Sequence, residues 1–357
     1  MPDSRRPAGS QRTDSFRRYP PLDRRVDPPA RPAPPDVPAV DERKGPESMR
    51  TRHGKRPSSP AGRCAAAPVL ALLTVLGMVG VAQPARADTD SGGAITARYE
   101  ALGGADGVLG AERSGETCGT SDGGCYRSYE NGTIVWTAAT GAHEIHGDFL
   151  AQWRQSGSED GSLGYPVTGI SCTLIQNGCF QRFQRGSIVR DGAAGATWGA
   201  HILRGAIGAR WDATGQARGY LGYPRSDESC GQDNGTVGCV QFFSFGLIEW
   251  TPATGAHSVH HEIERKWEDE GAEDGYLGLP VSEAEVGAGT MTMTQYFQGG
   301  AIHLTAADAL LVVRGAVYEA WSAAGALEGD YGAPVGDARC DASGTCTQEF
   351  EHGTITR

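Results

Sequence analysis

The chain has 357 residues, a formal net charge of −11, 52 Gly, 20 Pro and 9 Cys. These averages join two unlike parts: the stretch up to Ala87 holds 16 of the 32 basic, 8 of the 43 acidic and 15 of the 20 Pro residues, which leaves residues 88–357 with 16 basic against 35 acidic groups, a net −19. So acidic a body argues against sequence-independent nucleic-acid binding and against docking on anionic lipid, both of which need clustered Lys and Arg. It is long enough to bury a full core.

Residues 1–48 are rich in Pro and Arg and nearly free of aliphatic side chains, a composition that cannot offset the entropy of ordering. They are expected to be disordered or to be an extension upstream of the true start. Met49 opens a second pattern over residues 49–87: basic Arg50, Arg52, Lys55 and Arg56, an apolar run from Ala65 to Ala82, then Ala85-Arg86-Ala87. These are the three parts of a secretory signal, with cleavage expected after Ala87, so the protein is expected outside the cell with no stable membrane anchor. Retention of the segment as a signal-anchor is the alternative. Cys64 precedes the apolar run, so no lipobox is formed.

Residues 88–357 repeat one unit five times. Leu109-Gly110, LGYP at Leu163 and Leu221, LGLP at Leu277 and YGAP at Tyr331 recur at steps of 54, 58, 56 and 54 residues. Ten residues before each stands an aromatic (Tyr99, Trp153, Trp211, Trp267, Trp321), and four before that an apolar residue (Ile95, Phe149, Ile207, Ile263, Val317). The i,i+4 spacing predicts a short helix with both side chains on one face. After each LG comes an aromatic, a Gly three further on and an Ile two beyond, from Tyr129, Gly132, Ile134 to Phe350, Gly353, Ile355, which reads as a β-hairpin with a tight turn or bulge. The expected fold is therefore a β-rich α+β repeat protein of five helix-turn-hairpin units, at approximately 93–146, 147–204, 205–260, 261–314 and 315–357. All five helices and hairpins are present and the end units look like the inner ones, so closure into a five-fold ring, propeller-like or toroidal, is expected over an open superhelix.

The remaining cysteines fall as Cys118/Cys125, Cys172/Cys179, Cys230/Cys239 and Cys340/Cys346, and the fourth unit carries Val286 and Met293 at both equivalent positions. Joint loss of both members is what a disulfide within each unit predicts, since an orphaned thiol in an oxidising compartment is a liability. Zinc is disfavoured because each pair stands alone without CxxC spacing.

The tandem LGYP and LGLP motifs, with YENGTIVWTAATGAH and FSFGLIEWTPATGAH, resemble the LGFP repeat family of secreted actinobacterial proteins over roughly Gly93 to Arg357. The resemblance implies a cell-envelope module, of a kind found beside mycolyltransferase or peptidoglycan-hydrolase domains and associated with wall polysaccharide. The first unit departs at Ala111, with no Pro following, and the fourth lacks TGAH.

A search for catalytic patterns turns up none. His143, His201 and His257 share the GAH context and are expected to brace a helix entry. VHHEIE at Val259 lacks the second His of HExxH, no GxSxG elbow or P-loop occurs, and the Asp-Gly pairs before LG read as turns. No enzyme activity, cofactor or metal is expected. Tyr165 and Tyr223, at a position that varies between units, are candidate stacking platforms for a sugar, with Arg127 and Gln181 as hydrogen-bonding groups. Trp136 and Trp250 are weaker candidates, since period two puts them on the core face of the hairpin Ile. The function expected is a secreted, non-catalytic wall module that binds envelope polysaccharide of the arabinogalactan or peptidoglycan type; the alternative is a structural ring that docks another envelope protein.

Overall fold

The structure, a computed structural model, describes residues 90–193, 199–233, 236–287 and 291–357. The expectations for residues 1–48 and 49–87 fall outside these. Each unit is a helix followed by an antiparallel meander. The first has α1 (Ser91–Ala101), β1 (Thr117–Thr120), β2 (Gly124–Ser128), β3 (Gly132–Thr137) and β4 (Gly141–His146). The second has α2 (Gly147–Gln155), β5 (Cys179–Phe183), β6 (Gly186–Arg190) and β7 (Ala200–Arg204). The third has α3 (Gly205–Ala213), β8 (Ser229–Asp233), β9 (Thr236–Phe243), β10 (Gly246–Thr251) and β11 (Gly255–His260). The fourth has α4 (His261–Asp269), β12 (Glu285–Val286), β13 (Met293–Phe297), β14 (Gly300–Leu304) and β15 (Leu310–Arg314). The fifth has α5 (Gly315–Ala323), β16 (Arg339–Cys340), β17 (Cys346–Phe350) and β18 (Gly353–Thr356). The expected hairpin is thus the middle of a larger sheet, with four strands in units one, three and four and three in units two and five.

The constant offset between helix aromatic and LG motif has a direct cause. The indole N–H of Trp153, Trp211, Trp267 and Trp321 donates to the carbonyl of Gly164, Gly222, Gly278 and Gly332, each at 2.9 Å, and the Tyr99 hydroxyl does the same to Gly110. The four indoles are buried, so this bond satisfies a donor that burial would otherwise strand. Each of these glycines has φ between +66° and +72°, a conformation other residues rarely adopt. The hairpin glycine serves close approach instead. A Cβ on Gly132, Gly186 or Gly300 would press on the fourth-strand carbonyl of Ile145, Leu203 or Val313 and on the LG leucine.

Helices α2 to α5 each lie between two sheets, packing on the one before and the one after, whereas α1 packs on β2, β3 and β4 of its own unit. A buried glutamine staples every such seam. Gln181, Gln241, Gln295 and Gln348 donate through Nε2 to the fourth-strand carbonyls of Glu144, Ile202, Ser258 and Val312 in the preceding unit, and to Thr168, Ser226, Ser282 and Gly336 in their own.

The four expected disulfides are all formed: Cys118–Cys125, Cys172–Cys179, Cys230–Cys239 and Cys340–Cys346. In the fourth unit Val286 faces Met293 across β12 and β13 at the same cross-strand place.

The end units are not copies of the inner ones. At the staple position the first unit has Arg127, which pairs with Glu112 and Glu116. The face that β17 and β18 turn away from α5 carries Thr347 opposite Thr356 and Glu349 opposite Thr354. The third unit has Val240, Glu249, Phe242 and Leu247 at those places. Among the described residues each of the five sheets stays within one unit, and no closed ring is observed.

Candidate functional site

Each seam sets one sheet against the helix, 3-10 turn and LGxP motif of the next unit, with the helix on the last two strands. What fills it is two cross-strand pairs on the outward face of the sheet. These are Tyr126/Val135 and Ser128/Thr133 at the first seam, Phe180/Val189 and Arg182/Ser187 at the second, Val240/Glu249 and Phe242/Leu247 at the third, and Thr294/His303 and Tyr296/Ala301 at the fourth. Where the third seam has Phe242 and Leu247 the first has Ser128 and Thr133, and the missing volume remains as a cleft of about 340 Å³. Trp153 and Tyr165 form its inner wall, Tyr126 and Val135 its sheet side, and Arg154, Ser158 and Glu159 its rim. Tyr126 is half-buried and Arg154 is exposed, so the cleft offers an aromatic face together with hydroxyl, guanidinium and carboxylate groups. A volume of this size suits a small polar ligand with one apolar face.

The residues singled out from the sequence meet different fates. Tyr165 lines this cleft, but it is 2% exposed and its hydroxyl donates to the Ser121 carbonyl at 2.7 Å. Tyr223, 3% exposed, donates to Ile175 in the same way. Burial pushes the Tyr223 hydroxyl up to about 12, so it stays a donor. Gln181 is fully buried as a seam staple, and Arg127 is held by Glu112, Glu116 and Thr96. Trp136 packs with Ile95, Leu109 and Ile134 opposite Cys125, and Trp250 stands opposite Cys239 against the second-seam core. Trp250 is half-buried and Trp136 buried, the core-side placement that period two predicts, whereas the open stacking face expected of Tyr223 is absent because its ring fills a seam. Gln181 likewise has no amide hydrogen-bonding edge left on the surface. The structure instead places Tyr126 at the cleft and leaves Tyr220 and Tyr276 each 41% exposed, the latter beneath the Arg314 guanidinium at 4.5 Å. Tyr126 lies outside the aligned motifs, and only strand alternation from Tyr129 could have pointed to it.

The histidines of GAH stand in the fourth strand, not at a helix entry. His143 Nε2 lies 2.8 Å from the Thr140 carbonyl and His257 Nε2 2.9 Å from that of Thr254, closing the turn between third and fourth strands. Burial holds the His143 ring below its ordinary pKa, so it is neutral at pH 7.

The densest ionisable cluster lies at the third seam, where Glu283 meets His257 Nδ1 at 3.1 Å, Arg210 Nε at 3.3 Å, and the Ser258 hydroxyl. Ser258 bonds Glu283 and Tyr220, and its ring neighbour His257 is committed to Thr254 and Glu283. No nucleophile–base pair is formed there. Its role is structural: Asp227 fills the equivalent place at the second seam and accepts the Ile202 N–H. At the first seam Glu144 reaches over from β4, accepts from Ile170 N–H and pairs with Arg98 at 2.6 Å. Gly169 stands where the other three seams have an acid, Asp227, Glu283 and Asp337, and a Cβ there would collide with Arg98 and Glu144.

With this geometry in view, the LGFP repeat pattern matches residues 109–161, 163–219, 221–275 and 277–329, more than half of the chain. No curated protein matches the sequence. Among solved structures, the extracellular domain of a one-component system from B. thetaiotaomicron is similar to the chain at 10% identity and a TM-score of 0.15, over 66% of this chain and 27% of that one.

Proposed function

The chain belongs to the LGFP repeat family, and from that premise we propose a secreted, non-catalytic cell-envelope module that binds wall polysaccharide of the arabinogalactan or peptidoglycan type. The observation that carries this reading is the cleft at the first seam. Tyr126 offers a ring on which the apolar face of a pyranose can stack, while Ser158, Glu159 and Arg154 surround it with groups that take hydroxyls or a carboxylate. Glu159 is the one carboxylate among the lining residues, and glycoside hydrolysis needs two facing each other across the scissile bond, which favours holding over cleaving. No helix among the described residues is long and apolar enough to cross a membrane, and the four disulfides suit an oxidising compartment.

The reading is tested by retention of residues 88–357 on purified walls with and without their arabinogalactan. Binding should fall when the polysaccharide is stripped and should drop by roughly tenfold in Tyr126→Ala, the loss of one aromatic stack. Equal retention on both walls, unaffected by Tyr126→Ala, would replace it with docking on an envelope protein. The arrangement of the units belongs to the same proposal. A ring would have to set α1 against β18, yet Arg127 and the polar pairs of β17 and β18 serve as ends, so we read the five units as an open row.

A further inference from the structure

The variable residue of LGxP follows the disulfide loop of the unit before it. In the first two units the cysteines are seven apart, Cys118–Cys125 and Cys172–Cys179, and the next unit carries Tyr165 or Tyr223. Each hydroxyl reaches the carbonyl of the third residue after the first cysteine, Ser121 or Ile175. Tyr165 is held a second time by the Thr120 hydroxyl at 2.8 Å. The residue before the second cysteine is Gly124 or Gly178, and any Cβ there would collide with the tyrosine hydroxyl. In the third unit the cysteines are nine apart, in the fourth there is no pair, and the following motifs carry Leu279 and Ala333, which have no hydroxyl to offer. Tyrosine is therefore present at the two seams with a seven-residue loop and absent at the two without.

We propose that this tyrosine is a latch onto the preceding disulfide loop, and that the Cys118–Cys125 bond thereby gates the first-seam cleft and makes it sensitive to reduction. Thr120, Cys125 and Tyr165 are three of the cleft's lining residues, so freeing the loop removes one wall. Cys118 is exposed while Cys125 is buried, which leaves the Cys118 sulfur open to attack by an external thiolate. A dithiol reductant would form a mixed disulfide with Cys118, expel Cys125 as the thiol after protonation, then close its own disulfide and release Cys118. Two electrons pass to the protein and the reductant is oxidised. The gating of a ligand rests on the saccharide reading of the cleft; the latch does not.

Hydrogen exchange by mass spectrometry on the full chain tests it, with the unlatched seams as internal controls. Cys118→Ser/Cys125→Ser should speed amide exchange over residues 160–167 by about tenfold, the loss of one to two hydrogen bonds at a buried seam. Cys172→Ser/Cys179→Ser should do the same over residues 218–225, and Cys230→Ser/Cys239→Ser should leave 274–281 unchanged. Tyr165→Phe, which keeps the disulfide and the fold, should reproduce the first result alone. Unchanged exchange in Tyr165→Phe, or equal acceleration at all three seams, overturns the latch. Wall retention measured on the same variants separates the two readings. Faster exchange with undiminished retention keeps the latch and removes the cleft as the saccharide site, whereas lost retention with unchanged exchange does the reverse.

Discussion

At the scale of single residues, a few polar groups set the geometry of a mostly apolar interior. Trp211 shows how. Its ring is buried among Ile207, Leu221, Phe243 and Ile248, and its N–H ends on Gly222. Trp211→Ala should cost about 3–5 kcal/mol through the cavity it leaves. Trp211→Phe keeps most of the packing but strands the Gly222 carbonyl, at about 1–3 kcal/mol. Urea unfolding of both variants checks the order; a Trp211→Phe variant as stable as wild type would mean that the indole N–H contributes nothing. This bond is also why the helix and LG motif could be placed from the sequence, since a contact from residue i to i+11 keeps its spacing in every copy. Tyr165 and Tyr223 were misleading for the opposite reason. Their partners lie 44 and 48 residues upstream in another unit, so a repeat-by-repeat alignment shows only a position that varies between Tyr, Leu and Ala.

At the scale of elements, the helix and the central hairpin were legible because their aromatic, Gly and Ile positions are fixed by contacts inside one unit. The first and fourth strands were not. The last strands share GAH in three units but diverge beyond it, and the fourth unit replaces it altogether with LLVVR, because each faces a different seam. The third seam shows what such divergence does. Glu249, at the place of Val135 and Val189, is 9% exposed and has an oxygen without a hydrogen-bond partner. Burial, reinforced by the charge of Glu273, raises its carboxyl to about 8. The folded protein therefore keeps a proton that the unfolded chain releases near its ordinary 4.5. Since the native state binds more protons in that interval, stability falls as pH rises from about 4.5 to about 8 and is level beyond. Glu249→Gln removes this loss while keeping the shape. Its melting temperature should match wild type near pH 4 and exceed it above pH 8, by an amount equivalent to roughly 2–4 kcal/mol. A gap independent of pH would mean that Glu249 is ionised in the folded chain.

At the scale of the molecule, successive units are held by seams that resemble one another in their staples and differ in their filling. A repeat protein needs its last faces to refuse further units, or copies would stack end on end. The outward face of the fifth unit meets this need with Thr347, Glu349, Thr354 and Thr356, three of them exposed and Thr347 half-buried against the Thr356 hydroxyl at 2.9 Å. Sequence alone made the end units look equivalent to the rest, because the aligned residues face the core and the residues that make an end lie between them. Replacing this set with that of the third unit, as Thr347→Val, Glu349→Phe and Thr354→Leu, would expose an apolar face shaped to receive a helix such as α4. Each large side chain so exposed leaves about 1.5–3 kcal/mol to be recovered by burial. Sedimentation velocity should then show concentration-dependent association where the wild type sediments as one species. If the substituted protein stays monomeric while remaining folded by circular dichroism, the polar face is not what limits the row, and a contact between the first and fifth units would have to be occupying it.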